Sequence, residues 1–526
     1  MRTANSFKNL VTGLFGKALA IVLAFVVRTV FIATLSERYL GINGLLTSIL
    51  ELMNLAELGL GETILFAMYK PVAEHDTEKV RSLMSLYQKT YRIIATVILI
   101  VGLALIPFLH LLVPETTELV DIRIVFFISL VEKFLSYWLG VYSVVLFAEQ
   151  RNYVTAILNY LASVATTIGK IVFLFLLRRT PMLSYYCYSA IGVAGNLFNL
   201  LLIRWKVRTE FPWCRDLHAP PLPPEEKKGI VRNMAGLLTK KVCRIAHESI
   251  DNLVLSVMVG LSVVGIYSNY VVLKNYVVRI LSTVYSSITA SLGNLCAVDS
   301  DERKENFFLS LQFSYFWIYG FCAICFWILF NPFIAGVWLH DTKWLISDVD
   351  VFLVVFNFLI QGLAEDVEKY RDVNGLYWQS KYRYIFSTVF NVVVSVLLVG
   401  PAHMGLTGAL LGTTASIIIM IALDPVIVYR EVFHKGAGEY YLRYAQNLAL
   451  ILLTGALVHV LCLPFREYTL CNFLIRFLLC MLVPNGLWYI LFRKDTRFTY
   501  FRDTGLGLLR KIRRRLRRRN SGEDLS

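Results

Sequence analysis

The chain is 526 residues long, 57% hydrophobic and only 17% charged, with a mean hydropathy of +0.60. Soluble domains carry about 25% charged residues, so this composition excludes a soluble globular protein and indicates a polytopic membrane protein. The formal net charge is +15, and much of it sits in Arg510–Arg519, reading RKIRRRLRRR. Directly after a membrane helix, such a run points to anionic lipid headgroups and not to nucleic acid.

In chain order, apolar stretches of about 20 residues recur about fourteen times, each long enough to cross a bilayer as a helix. Their centres fall near Ala24, Leu55, Leu99, Leu130, Val164, Gly195, Ser249, Leu273, Phe321, Val355, Val394, Ile417, Leu453 and Leu482. Arg2 and Lys8 precede the first run, which is too long for a signal peptide and lacks a small-residue cleavage site. It reads as the first spanning helix. The stretches 40–69 and 262–297 exceed what a perpendicular helix needs, so they should tilt or run on beyond the bilayer.

Between the sixth and seventh spans lies TEFPWCRDLHAPPLPPEEKKG, a proline-dense spacer. The two flanking halves resemble each other. With Gly41 laid on Gly265, YLGINGLLTSIL meets VVGIYSNYVVLK, TEKVR meets DERKE, and Lys17 meets Lys241. Equal helix counts and these matches suggest two pseudo-symmetric six-helix lobes related by an axis along the membrane normal. The expected organisation is an N-lobe over 1–204, a linker over 205–229 and a C-lobe over 230–442. A helix pair over 443–492 and a basic tail over 493–526 follow.

Lys and Arg set the orientation. One set of alternate loops carries Lys70, Lys79, Arg81, Lys89, Arg204, Lys206, Arg208, Lys369, Arg371, Lys381, Arg383, Arg430 and the tail. The other set holds little beyond Arg38, Arg123, Arg178, Arg179, Lys343 and Arg466. The basic side is cytoplasmic, and an even span number puts both termini there.

Charges inside spans point to function, because each must find a partner, protein or water. Lys240, Lys241, Arg244, His247, Glu248 and Asp251 run into a strongly apolar stretch. Wound as a helix at roughly 100° per residue, they form one stripe about 120° wide. That stripe either lines a water-filled path for a charged solute or neutralises itself in salt bridges that lock helices together. His247 beside Glu248 and Asp251 would titrate near neutral pH and couple transport to protons, or be satisfied structurally by the acid. Arg28 and Lys170 lie deep in apolar sequence and are expected to face a cavity or a carboxylate. Glu132, Lys133, Lys274 and Arg279 interrupt spans or lie near their ends. Cations in a low-dielectric pocket suit an anionic cargo, and Arg suits phosphate oxygens.

Nothing in the sequence supports covalent catalysis. A phosphate-binding loop, metal-ligand spacing and a G-x-S-x-G elbow are all missing. Nine cysteines are scattered without framework spacing, and Cys322-x-x-Cys325 reads as core sulfur. No cofactor is expected.

The opening segment RTANSFKNLVTGLFGKALAIVLAFVVRTVFIATLSERYLGINGLLTSILELMNLAELGLGETILFAMYK resembles the start of bacterial polysaccharide repeat-unit flippases. These Wzx-type proteins handle O-antigen, capsule and exopolysaccharide units within the multidrug/oligosaccharidyl-lipid/polysaccharide (MOP) exporter superfamily. FAEQRNYV (147–154), ESIDNLVLSVMVGLSVVGIYSNY (248–270) and LDPVIVYREVFHKGAGEYYLRY (423–444) fit the same family. The resemblance implies an all-α, MATE/MurJ-like transporter in the bacterial cytoplasmic membrane. It would flip an undecaprenyl-pyrophosphate-linked oligosaccharide outward by alternating access, with H+ or Na+ coupling. The pyrophosphate would seek Arg28, Lys170, Lys241, Arg244 and Lys274, with His247, Glu248 and Asp251 as coupling residues. Expected partners are the lipid-linked oligosaccharide, anionic lipids and the polysaccharide polymerase and export machinery. A peptidoglycan-precursor flippase shares this charge logic. A drug or cation antiporter shares the fold but calls for an acidic cavity, and a non-transporting scaffold would act through its arginine tail.

Overall fold

The computed structural model describes residues 2–53, 60–74, 76–109, 121–149, 151–215, 249–298, 301–374 and 376–499. Among them all regular structure is helical. Most of the proline-rich stretch, the residues Lys240, Lys241, Arg244, His247 and Glu248, and the tail Arg510–Arg519 lie outside the described residues.

The first half contains α1 (Arg2–Thr34), α2 (Glu37–Met53), α3 (Leu60–Ala73), α4 (Thr77–Leu105) and α5 (Ile122–Leu139). It continues with α6 (Ser143–Ala148), α7 (Asn152–Leu176) and α8 (Pro181–Glu210). A short apolar helix, α9 (Ser249–Met258), leads into α10 (Leu261–Val298). Then come α11 (Asp301–Phe333), α12 (Asp348–Leu363), α13 (Glu365–Val373), α14 (Tyr377–Val399), α15 (Gly405–Val428), α16 (Gly438–Cys462) and α17 (Leu470–Phe492). Nine helices among the described residues are long and apolar enough to cross a membrane.

Local chemistry starts these helices where they begin. The Asp76 carboxylate accepts from the Lys79 amide at 3.0 Å ahead of α4, and Asp121 accepts from the Arg123 amide at 2.9 Å ahead of α5. Ser347 caps α12 through the Asp350 amide at 3.1 Å. Each cap satisfies an amide that has no partner within its own helix. Pro181 opens α8, where its missing N–H costs nothing. The long stretch 262–297 is one helix of 38 residues, whereas 40–69 divides between α2 and α3.

Leu176, Leu453 and Leu482 are 72%, 71% and 68% exposed. Leucines so exposed on apolar helices have their natural solvent in lipid tails.

The chain forms two compact units, residues 1–276 with 384–409, and residues 277–383 with 410–526. This boundary falls within α10, whose start packs on α2 through two glycines. A Cβ on Gly41 would stand 2.0 Å from the Leu261 carbonyl oxygen, and one on Gly265 would stand 2.1 Å from that of Glu37. Only two bare backbones fit there. In the same unit α7 packs against both α1 and α8, and α5 packs against both α4 and α8.

The second unit is built on α11, which packs against α12, α16 and α17. Phe316 and Trp488 approach with ring centroids 4.9 Å apart. The buried Trp488 indole N–H donates to Thr454 Oγ1 at 3.1 Å, and that of Trp317 to Asn485 Oδ1 at 2.9 Å, so both rings pack without an orphaned donor.

Two cations that the loop-charge pattern places in the cytoplasm are instead buried in this unit. The Arg371 side chain is 0% exposed and the Arg383 side chain 2%. Arg371 Nη1 donates to both Asp424 oxygens at 3.0 Å, and Arg383 Nη1 shares the same carboxylate. Asp424 lies within α15, where no loop residue can neutralise it, so cations at the ends of α13 and α14 fold in to meet it.

Asp366, near the start of α13, is fully buried. Its Oδ1 accepts from the Val367 amide at 2.7 Å and from the Tyr440 hydroxyl at 3.3 Å. Burial raises its pKa to about 8, with neighbouring Glu365 adding to the rise. The folded protein therefore keeps a proton that the unfolded chain loses near the ordinary carboxylate value of about 4. Its stabilisation is complete below that value and is lost as the pH rises through about 8. Thermal unfolding in detergent should show the wild type weakening as the pH rises from about 4 to about 8. Asp366→Asn, which cannot ionise, should flatten that slope.

Candidate functional site

The first unit encloses a cavity of about 650 Å³. From α1 it is lined by Ala20, Leu23, Ala24, Val27, Arg28 and Phe31, spaced three and four apart on one helical face. The α7 contribution has the same periodicity but is polar: Asn159, Ser163, Thr166, Thr167 and Lys170. Tyr188, Gly192, Gly195, Asn196 and Asn199 come from α8, Glu132 from α5, Asn43 from α2 and Tyr276 from α10. The opposite faces carry exposed apolar groups such as Ile168 and Phe175. α7 thus turns a polar stripe inward and an apolar one outward.

Arg28 is held by neutral groups. Its Nε donates to Asn269 Oδ1 at 2.9 Å and its Nη2 to Ser268 Oγ at 2.6 Å. These two bonds orient the guanidinium and leave N–H groups for the cavity that the residue lines. Lys170 places its ammonium 4.3 Å from the centre of the Tyr188 ring, a cation–π contact that stabilises the charge without neutralising it. Lys170 and Glu132 converge on Gly192: a Cβ there would stand 3.4 Å from Lys170 Nζ and 3.9 Å from a Glu132 oxygen. Among the described residues neither Arg28 nor Lys170 is paired with a carboxylate within salt-bridge distance. Amide pairs complete the wall, with Asn199 Nδ2 donating to Asn159 Oδ1 at 2.8 Å and Asn196 Nδ2 to Ser136 Oγ at 2.7 Å.

Of the residues singled out from sequence, the structure brings Arg28 and Lys170 together in this cavity. Lys274 does not line it. Val272 and Tyr276 do, and a residue two positions from each lies on the far side of α10. Asp251 lies in α9, where the adjacent Asn252 Nδ2 donates to Ser48 Oγ at 3.0 Å. Lys241, Arg244, His247 and Glu248 are outside the described residues. Glu132 lies inside α5 and faces the cavity, not at a helix end. The hydroxyl and amide stripe of α7 was readable in sequence, since its members recur at helical spacing. Hydropathy passes over such residues because each costs little by itself.

No protein-family model matches the chain, and no curated protein matches it either. Solved structures do. A lipid II flippase, MurJ, in an inward closed conformation superposes with a TM-score of 0.64 at 13% identity, covering 92% of this chain and 98% of that one. The fold is that of MOP-superfamily transporters. An inward-facing multidrug resistance MATE transporter of that superfamily gives 0.59 at 16% identity, over 78% of this chain and 94% of its own. A MOP-superfamily transporter from Pyrococcus furiosus, described as having a binding pocket of reverse polarity, gives 0.54 at 15% identity, over 82% and 96%. Of these three structures, two are transporters and one is a flippase.

Proposed function

We propose that the chain is a flippase that carries a polyprenyl-pyrophosphate-linked glycan across the bacterial cytoplasmic membrane by alternating access. The observation that carries this reading is the pair Arg28 and Lys170, cations within apolar helices that face a polar cavity with no carboxylate among the described residues pairing either one. Burying a cation in that way is costly unless an anion comes to it. A pyrophosphate supplies the anion and matches the arginine fork. The surrounding amides, hydroxyls and Tyr188 offer the hydrogen bonds and aromatic face that a sugar uses, while the polyprenyl chain stays in lipid.

Two cargoes share this chemistry. The opening segment supports an oligosaccharide repeat unit destined for a surface polysaccharide. The likeness to MurJ, which spans 92% of the chain, supports the peptidoglycan precursor. A cationic drug fits less well, since among the described residues the cavity is lined by the cations Arg28 and Lys170 and the acid Glu132. Fourteen spans in two six-helix lobes with a C-terminal pair, both termini cytoplasmic, H+ or Na+ coupling, and contact of the basic tail with anionic lipid complete the proposal.

Cells depleted of their peptidoglycan-precursor flippase, and cells lacking their repeat-unit flippase, test it when each is supplied with this chain. Rescue of the first assigns the precursor, and rescue of the second assigns the repeat unit. Rescue of neither, with normal membrane insertion and efflux of cationic dyes, would overturn the reading in favour of a drug antiporter.

A further inference from the structure

A second cavity, of about 290 Å³, lies in the second unit where four helices end together. Trp327 and Asn331 reach it from the end of α11, Asp348 from the first residue of α12, His459 from the end of α16, and Arg476 from α17. Arg466 enters from the loop joining α16 to α17. Arg476 Nε donates to the Phe465 carbonyl at 2.8 Å and so fastens that loop beside the cavity. Asn331 Nδ2 donates to Asp348 Oδ1 at 3.0 Å and orients that carboxylate. The rings of Trp327 and His459 lie parallel within 11°, with centres 5.4 Å apart. Beside this polar chamber, Val460, Leu461, Leu470 and Leu474 are exposed. A pocket with two arginines and an acid, set at helix ends and flanked by exposed apolar side chains, has the make-up of a lipid-headgroup site.

We infer that this cavity holds the headgroup of a phosphatidylethanolamine, with the phosphate on Arg466 and Arg476 and the ammonium on Asp348 beside the Trp327–His459 wall. Arginine forks match phosphate oxygens, and a carboxylate beside aromatic rings receives an ammonium. A purely anionic headgroup leaves Asp348 unmatched. A choline headgroup cannot donate hydrogen bonds to it. The volume suits a headgroup alone, so the acyl chains lie along the exposed leucines and valine. This site lies in a different unit from the cavity of Arg28 and does not depend on the cargo carried there.

Native mass spectrometry of the full chain, released from bilayers of mixed phosphatidylethanolamine, phosphatidylglycerol and phosphatidylcholine, provides the test. The wild type should retain ethanolamine lipid in preference to the other two. Arg466→Glu, in an exposed loop, should weaken that retention by about tenfold or more, the worth of one charge-assisted hydrogen bond. Asp348→Asn should erase the preference over phosphatidylglycerol while phosphate-bearing lipids still bind. Equal retention of all three lipids, or no effect of Arg466→Glu, overturns the assignment. Displacement of the ethanolamine lipid by stoichiometric undecaprenyl phosphate overturns it too, in favour of a carrier-lipid site.

Discussion

Replacing Arg28 by alanine should reduce translocation of the lipid-linked glycan by about ten- to a hundredfold, the worth of a charge-assisted hydrogen bond of about 1.5–3 kcal/mol. The amount of folded protein in the membrane should change little. The partners left behind are the neutral groups of Asn269 and Ser268, so no buried charge is stranded. Arg28→Lys keeps the charge but not the fork that grips both partners, and should fall between the two. Lys170→Ala should act in the same direction, and the double variant should lose more than either single one because both cations face the same ligand. Flux measured on reconstituted protein, beside abundance measured by size-exclusion chromatography, separates transport from folding. Undiminished flux in Arg28→Ala would make that cation structural.

The largest effect on stability belongs to Asp424. Its carboxylate is shared by Arg371 and Arg383, whose side chains have almost no contact with solvent. Asp424→Ala leaves two buried guanidinium groups without their common anion. Glu368 and Asp372 stand 3.2 and 3.3 Å from Arg371 Nη2 and remain in place. Breaking one side of a buried ion pair typically costs about 3–5 kcal/mol, a large part of a net stability of about 5–15 kcal/mol. The variant should lose its monodisperse peak in detergent and much of its membrane abundance. Pairing Asp424→Ala with Arg383→Met should recover part of the loss, since an apolar chain of similar length then fills the space. Thermal unfolding of the single and double variants gives the coupling directly.

These two residues show what kind of information each level holds. That Arg28 and Lys170 face a cavity or a partner was legible from sequence, because a full charge within a long apolar run has few acceptable surroundings. Arg371 and Arg383 were not legible as buried. They sit at span ends, where a cation ordinarily reaches water or headgroups, and only Asp424 on a third helix draws them inward. Glu132 lines the cavity of Arg28 and Lys170, and Lys274 does not. Which face of α10 or α5 meets the cavity depends on the helices packed against it, and a few residues of rotation decide it.

By itself the sequence determined the solvent, the helical class and the two deepest cations of the cavity. Hydropathy sums along the chain, and a bilayer forces every backbone group of an apolar run into a helix. The tertiary structure alone decided which polar groups share a chamber, which charges face away from it, and where α10 passes from one unit to the other. Those outcomes rest on helix azimuth and on close approach at residues such as Gly41 and Gly265, and neither quantity is a property of one segment.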